Sequence, residues 1–252
     1  MKKNKPTAIT DFGGSGTTII LLHGFLASSL YWARVQPGLS AAGYRIITID
    51  LMGFGVAVKP KKATYNYEEH IEHIHTHISS LRLTQPFVLV GHSMGALLAS
   101  RYALLHPAHI SHLSLLHPPL YQDPNEAFQT LRDTSRGYRF LLDSRYRRIG
   151  WALIKTFPIA HIGKHSRVSR ERSLINVIET AEIFNDLQKL QTNTMLLIGQ
   201  RDRIEYSTNI QKNHISDMVT VLSRDVTHHS PMKQPKLVTR ELINFLQKEI
   251  RT

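Results

Sequence analysis

"LVGHSMGALLAS", residues 89–100, places one serine, Ser93, midway between two glycines. Four apolar residues, from Phe87 to Val90, lead into Gly91, and a segment rich in alanine and leucine follows Gly95. Glycines two residues before and two residues after a serine indicate a sharp backbone bend, because they relieve crowding where a strand turns into a helix. The pattern predicts a strand–serine–helix turn that presents the Ser93 hydroxyl above the edge of a sheet, near a helix N-terminus.

Short apolar segments alternate with longer amphipathic segments on both sides of this turn. Apolar residues at helical spacing predict helices over Glu68–Leu81 and Lys236–Ile250. Near-continuous runs of Ile, Leu and Val are typical of strands buried on both faces of a parallel sheet. The alternation predicts the α/β class, with a mostly parallel, doubly wound sheet between two layers of helices. The predicted strands are Thr17–Leu22, Arg45–Leu51, Phe87–Val90, His112–Leu116, Thr194–Ile198 and Met218–Leu222.

The alternation stops between residues 122 and 190, where the sequence has helical character and no good strand candidate. We therefore divide the chain into a core domain, 1–121 and 191–252, and a helical cap, 122–190, inserted after the sixth strand. An insertion of this kind usually lies over the carboxyl edge of the sheet, where ligands bind. The stretch from Arg132 to Arg172 is strongly basic, which is typical of a solvated helical face but also suits an anionic substrate or an acidic partner.

Composition argues against several classes of protein. The absence of cysteine excludes disulfides and a thiol nucleophile. The chain has 31 Lys and Arg against 19 Asp and Glu, a net charge of +12, but it lacks the motifs of nucleic-acid-binding folds, and we expect no nucleic-acid partner. The basic N-terminal segment lacks the apolar core of a signal peptide, and no apolar stretch is long enough to span a bilayer. We expect a cytoplasmic protein without membrane insertion; the sequence gives no indication of its oligomeric state.

Four histidines lie close together in one predicted helix. On that helix His70, His73 and His77 share one side, and three imidazoles are able to hold a zinc ion. The alternative interpretation is that these histidines form the polar flank of an amphipathic helix, next to its apolar stripe. We therefore expect neither a metal nor a cofactor.

Several segments together resemble the α/β-hydrolase fold superfamily, in particular its capped, carboxylesterase-like serine hydrolases. "LLHGFLASSLYWARVQPGLSAAGYRIITIDLMGFG" (21–55) resembles the front end of that fold, and "GHSMG" (91–95) resembles its nucleophile elbow. "LLIGQRD" (196–202) resembles the strand that carries the acid, and "HHSPMKQP" (228–235) the segment that carries the histidine. The resemblance extends over nearly the whole chain.

The resemblance assigns catalytic roles in the chain order serine, acid, histidine. It implies Ser93 as the nucleophile and Asp202 as the acid. Two histidines are candidates for the base, His228 and His229. In related sequences the histidine stands seven residues before the proline that opens the last helix, here Pro235, so we favour His228.

The same resemblance implies an oxyanion hole formed by the backbone N–H groups of Phe25 and Met94. Asp123, which follows a predicted strand, is an alternative position for the acid in some relatives. Four residues beside these elements are expected to contact the substrate: His23, Gly24, Trp32 and His92.

The function implied is hydrolysis of carboxylic esters through an acyl-enzyme intermediate, on a small and possibly anionic ester. Two alternatives remain open at this stage. The same triad in the same fold also cleaves carbon–carbon or amide bonds, and some hydrolase-fold proteins are small-molecule receptors rather than enzymes. Fold alone does not choose between them, because pocket side chains set the substrate.

Overall fold

A computed structural model describes residues 8–133 and 163–247, and seven strands in this part form a single sheet in the order β1-β3-β2-β4-β5-β6-β7. β1 runs antiparallel to β3, and all other neighbouring strands are parallel. The strands are β1 (Ile9–Asp11), β2 (Thr18–Leu22), β3 (Arg45–Ile49), β4 (Phe87–His92), β5 (Ile110–Leu116), β6 (Thr194–Gly199) and β7 (Val219–Arg224).

The prediction of a mostly parallel α/β sheet is confirmed. Each of the six predicted strands is present, with bounds that differ by at most two residues from those expected. The sequence analysis did not predict β1, because this three-residue edge strand is partly exposed and has one apolar residue, Ile9. Its pairing with β3, Ile9 opposite Ile49, depends on a neighbour that the local sequence does not reveal.

Helices cover both faces of the sheet in the described part of the chain. Ile20 and Leu22 of β2 pack into one hydrophobic core, whereas Ile19 and Leu21 pack into a second core on the opposite face. This alternation is the period-two pattern of a strand buried on both sides. The helices are α1 (Gln36–Ala41), α2 (Tyr67–Ser80), α3 (Met94–Leu105), α4 (Pro124–Asp133), α5 (Arg167–Ser173), α6 (Ile183–Leu187), α7 (Ile204–Lys212), α8 (Ser230–Lys233) and α9 (Pro235–Gln247).

The described parts of the predicted cap, 122–133 and 163–190, consist of α4, α5, a π-helical turn (Leu174–Ile178) and α6. They lie between β5 and β6, so the segment follows the fifth strand of the described chain. Among the described residues a single short strand, β1, precedes β2, one fewer than an insertion after a sixth strand requires. Residues 134–162, with much of the basic stretch, lie outside the described residues, and the division into core and cap stays a prediction.

Contacts between α5 and a core loop hold the described cap residues against the sheet. Ser169 donates a hydrogen bond from its hydroxyl to the carbonyl of Gly53, at 2.9 Å, and Phe54 forms an isolated antiparallel bridge with His165. A Cβ at Gly53 would lie 2.2 Å from the Cβ of Ser169, so glycine is required for this approach. The cap segment is therefore fixed to the loop that follows β3.

Helix α2 forms as the sequence predicts. Its N-terminus is capped by Asn66, whose side chain accepts a hydrogen bond from the Glu69 N–H at 3.1 Å. The predicted apolar stripe, Ile71, Ile74 and Ile78, is buried against the core. Among residues 8–133 and 163–247, neither α2 nor any other helix combines the length and apolar character needed to cross a bilayer.

The histidines predicted to share one side of α2 make separate hydrogen bonds. His70 Nε2 lies 3.0 Å from the Ser173 hydroxyl, His73 Nε2 donates to the Asp50 carbonyl at 3.0 Å, and His77 Nδ1 donates to the His73 carbonyl at 2.7 Å. Burial lowers the pKa of His70 to about 3 and the pKa of His73 to about 4. These two imidazoles therefore stay neutral near pH 7.

We expect His70→Gln to make the free energy of unfolding less sensitive to acid. The folded-state pKa of His70 is about 3, against an unfolded value of 6.5, so between these values unfolding takes up a proton and stability falls as the pH falls. One such group contributes a slope of roughly 1.4 kcal/mol per pH unit. Urea unfolding at pH 7.5, 6.0 and 5.0 measures the slope. Exposed His214→Gln is the control, and a slope unchanged by His70→Gln would contradict the prediction.

Candidate active site

The turn between β4 and α3 is built by close backbone packing. A Cβ at Gly91 would lie 2.2 Å from the carbonyl oxygen of Gly95, and a Cβ at Gly95 would lie 2.4 Å from the carbonyl oxygen of His23. Real side chains do not tolerate such contacts, so both positions require glycine. Between them Ser93 has φ 54° and ψ −121°, a conformation that strains any residue with a Cβ. The predicted strand–serine–helix turn is present.

The carboxyl edge of the parallel strands gathers the polar residues of the site. Gly24 follows β2, Ser93 follows β4 and His117 follows β5. Asp202 and His228 lie in the segments after β6 and β7. Because all these strands run in the same direction, residues far apart in sequence meet at one edge.

Ser93, Asp202 and His228 line one cavity, of about 800 Å³. His228 Nδ1 lies 2.8 Å from Asp202 Oδ2. The Asp202 side chain is 9% exposed and that of His228 is 30% exposed. The structure thus brings together the three residues assigned from the resemblance and pairs the histidine with the acid.

The Asp202 carboxylate is held in its ionised form. Burial raises the pKa of Asp202, but the hydrogen bond with His228 and the positive charge of neighbouring groups lower it by more, so the pKa lies below its usual value. An ionised carboxylate only accepts hydrogen bonds, so His228 donates from Nδ1. This tautomer leaves the lone pair of His228 Nε2 free to take a proton.

The other two candidates for the triad, His229 and Asp123, make different contacts. His229 also lines the cavity, but its Nδ1 lies 3.3 Å from the Tyr31 hydroxyl. Asp123, the alternative acid, accepts the N–H groups of Asn125 and Glu126 at the start of α4. The geometry therefore favours Asp202 with His228.

Two of the four predicted substrate contacts line the cavity, and two do not. Gly24 and His92 are on its wall, together with Phe25. His23 is fully buried behind it, where Nδ1 donates to the Gly24 carbonyl at 2.8 Å and Nε2 accepts the Leu51 N–H at 3.0 Å. Trp32 is fully buried in the second hydrophobic core, and its neighbour Tyr31 faces the cavity instead. This corrects the expectation that His23 and Trp32 contact the substrate.

Most of the cavity wall is apolar or aromatic. An arginine and a glutamate, Arg203 and Glu205, add charge at the start of α7. Apolar walls with a few polar groups are typical of sites for small organic ligands. The apolar and aromatic lining residues include Phe25, Leu26, Pro119, Tyr121, Leu131, Ile178 and Tyr206.

Sequence reasoning missed His117, which lies beside Asp202. Its backbone is left-handed (φ 50°), its Nε2 lies 2.7 Å from the Ser230 hydroxyl, and its Nδ1 lies 3.8 Å from Asp202 Oδ2. Burial, with the nearby His228, lowers the pKa of His117 to about 3, so the ring is neutral. The sequence signal that could have identified His117 is its position directly after a predicted parallel strand.

A second neutral imidazole supports the backbone of His228. His92 Nε2 lies 2.9 Å from the His228 carbonyl and 3.0 Å from the Tyr31 hydroxyl. Burial and the neighbouring imidazoles hold the pKa of His92 well below its usual value. His92 therefore donates its one Nε2 proton to the carbonyl, and Tyr31 is free to donate to His229. The network orients the loop that carries His228.

Comparison with known sequences identifies the family to which this chain belongs. A family model described as the alpha/beta hydrolase fold matches residues 17–149, more than half of the chain. A probable lysophospholipase, BODYGUARD 1 of Arabidopsis thaliana, is 38% identical over 110 residues, which are 42% of this chain and 24% of that protein. The match thus spans about a quarter of that relative's length.

Two further relatives are named for other activities. A probable 1-acylglycerol-3-phosphate O-acyltransferase of Oryza sativa subsp. japonica is 29% identical over 179 residues, 64% of this chain and 43% of that protein. Bifunctional epoxide hydrolase 2 of Rattus norvegicus is 34% identical over 108 residues, 42% of this chain and 19% of that protein. The same sequence pattern therefore occurs in proteins with different named reactions.

Solved structures match over nearly the whole chain. An esterase from Exiguobacterium antarcticum superposes with a TM-score of 0.73 at 20% identity and covers 95% of both chains. The enol-lactonase from Burkholderia xenovorans LB400 gives a TM-score of 0.73 at 17% identity, over 95% of this chain and 96% of that one. At this level of identity the similarity establishes the fold.

We expect Ser93→Gly to be more stable than Ser93→Ala by about 1 kcal/mol. Both variants lack the hydroxyl, but glycine also relieves the strain at φ 54°, which outweighs its larger loss of conformational entropy on folding. Urea unfolding of the two variants measures the difference. Thr76, exposed within α2, is the matched control, and there glycine should be the less stable of the two replacements. A Ser93→Gly protein less stable than Ser93→Ala would show that the bend is unstrained.

Proposed function

Since the chain belongs to the α/β-hydrolase fold family, we propose that it is a serine hydrolase that cleaves carboxylic esters through an acyl-enzyme intermediate. The observation that carries this proposal is the His228–Asp202 hydrogen bond of 2.8 Å on the wall of the cavity that Ser93 also lines. A hydroxyl is a poor nucleophile at neutral pH and needs an adjacent base. The cavity wall carries an imidazole that is oriented by a buried carboxylate.

In the first half-reaction Ser93 Oγ attacks the acyl carbon of the ester. The serine proton passes to His228 Nε2, while the Asp202 carboxylate accepts the Nδ1–H and stabilises the imidazolium. The tetrahedral intermediate then breaks its bond to the alcohol oxygen. His228 returns the proton to that oxygen, so an alcohol leaves and the acyl group remains on Ser93.

The N–H groups of Phe25 and Met94 are proposed to bind the negatively charged oxygen of the intermediate. Met94 is the first residue of α3, where helical N–H groups have no partner within the helix. Phe25 follows Gly24, at which a Cβ would lie 3.0 Å from the Ser93 Cβ, so this backbone passes close to the serine. Each such donor is typically worth about 2.7–4 kcal/mol of barrier.

In the second half-reaction water enters in place of the alcohol. His228 takes a proton from the water, whose oxygen attacks the acyl carbon, and collapse of the second tetrahedral intermediate breaks the bond to Ser93 Oγ. The serine recovers its proton from His228 and a carboxylic acid leaves. The cycle consumes one ester and one water and restores the enzyme.

A hydroxyl nucleophile favours acyl substrates over epoxides. Attack of Ser93 on an epoxide carbon would leave an ether on the enzyme, which water does not hydrolyse under mild conditions. Attack on an ester leaves a new ester, which the same site is able to hydrolyse. The apolar cavity of about 800 Å³ suits an ester with a hydrophobic acyl or alcohol part.

We expect Ser93→Ala to reduce the hydrolysis of p-nitrophenyl esters by a factor on the order of 10⁴ or more, since triad members act as a unit. A fluorophosphonate probe should label the wild-type protein at Ser93 and leave Ser93→Ala unlabelled. Exposed Ser223→Ala is the control for the loss of a serine hydroxyl. Labelling of another serine would contradict the assignment of the nucleophile to Ser93. A single slow acylation without turnover would contradict the hydrolase assignment and favour a receptor.

We expect His228→Ala to be far more damaging than His229→Ala, because the hydrogen bond to Asp202 belongs to His228. The loss in kcat/KM for His228→Ala should approach that for Ser93→Ala, on the order of 10⁴. His229→Ala should retain most of the activity. Equal losses in the two variants would remove the assignment of the base to His228.

A further inference from the structure

Three histidines meet on the surface at the edge of the sheet opposite the cavity. His75 lies on α2, His106 follows the last residue of α3, and His109 is in the short 3-10 turn that precedes β5. One imidazole nitrogen from each lies within 4.8 Å of those from the other two. His75 and His106 are half-buried and His109 is exposed. The cluster shares only His75 with the histidine-rich helix segment, and it differs from the trio that helical spacing predicts.

The three rings are stacked nearly parallel, with interplanar angles of 6–10°, and they come within reach of one ion once they rotate out of that stack. The His75 and His106 rings are stacked with centroids 4.4 Å apart, and His106 and His109 are stacked at 5.4 Å. A tetrahedral zinc ion with bonds of about 2.0–2.1 Å holds its ligand nitrogens roughly 3.3 Å apart. The nitrogens of this cluster therefore need to approach by about 1.5 Å or less, which rotation of partly exposed imidazoles supplies.

A buried tyrosine already orients two of the three rings. The Tyr102 hydroxyl lies 3.3 Å from His75 Nδ1 and 3.2 Å from His109 Nδ1. For both Nε2 atoms to hold a metal, each ring must carry its proton on Nδ1, and the hydroxyl oxygen, with two lone pairs, then accepts both Nδ1–H groups. His75 Nε2, which lies 3.4 Å from the Ser79 hydroxyl, exchanges that contact for the metal. Histidine ligands of metals ordinarily have their second nitrogen held in this way.

We propose that His75, His106 and His109 bind one Zn²⁺ ion, with Tyr102 as the residue that positions two of the ligands. Imidazole nitrogens select zinc or a neighbouring transition metal over Mg²⁺ and Ca²⁺, which prefer oxygen ligands. The fourth position is open to water. The ion links α2 to the turn between α3 and β5, so its effect is on stability.

The site is separate from the proposed chemistry. Ser93 precedes α3 and His106 follows it, and a helix of 12 residues is roughly 18 Å long. The ion is therefore too far from the cavity to act on an ester there. The proposal is independent of the esterase assignment, and the failure of one leaves the other standing.

Zinc titration of the untagged protein, stripped with EDTA and followed by calorimetry, tests the proposal. We expect one Zn²⁺ per chain, a higher Tm when it binds, and the visible absorption of tetrahedral Co²⁺ when cobalt is substituted. His109→Ala and His106→Ala should each abolish stoichiometric binding, whereas exposed His214→Ala should leave it unchanged. Tyr102→Phe should weaken zinc binding by about tenfold, as loss of a supporting hydrogen bond does at other sites.

Binding of one equivalent of Zn²⁺ that persists in a His75→Ala, His106→Ala, His109→Ala triple variant would locate the ion elsewhere and overturn the proposal. Absence of stoichiometric binding in the wild-type protein would do the same. Ester hydrolysis measured in parallel serves as a check on folding, since neither EDTA nor His109→Ala should change it.

Discussion

The close contact of backbone with backbone around Ser93 is the constraint on which the rest of the structure depends. Gly91 and Gly95 let β4, the start of α3 and the end of β2 approach to distances that any side chain would prevent. The same contact strains Ser93, places its hydroxyl at the carboxyl edge of the sheet, and brings Gly24 beside it. Packing at this point thus fixes where the Ser93 hydroxyl and the backbone at Gly24 meet.

Buried neutral imidazoles hold the site around that hydroxyl. His92 and His117 both have pKa values depressed mainly by burial, and each makes a hydrogen bond to the segment that carries His228 or to its neighbour Ser230. Neutral rings position the loop without adding charge beside the Asp202–His228 pair. These histidines make the folded protein sensitive to acid, because each buried neutral histidine favours the unfolded chain as the pH falls.

Helix α3 separates two histidine-containing sites with different chemistry. Its N-terminus, after Ser93, faces the cavity, where a carboxylate orients one imidazole. Its C-terminus leads to His106 and His109, which meet His75 without a carboxylate as a direct hydrogen-bond partner among the described residues. An imidazole paired with a carboxylate suits proton transfer, whereas several imidazoles close together suit a transition metal.

The amino-acid sequence alone predicted the α/β class, six of the seven described strands and the bend at Ser93. Through the family resemblance it also identified Asp202 and His228 as candidates. These features have local signals, such as apolar periodicity, glycine spacing and motif order. Long-range packing decided the rest: that Tyr31 rather than Trp32 faces the cavity, that His117 lies beside Asp202, and that His75 meets His106 and His109. Successive residues of a strand or a 3-10 helix point in different directions, and which of them faces a cavity depends on elements distant in the chain.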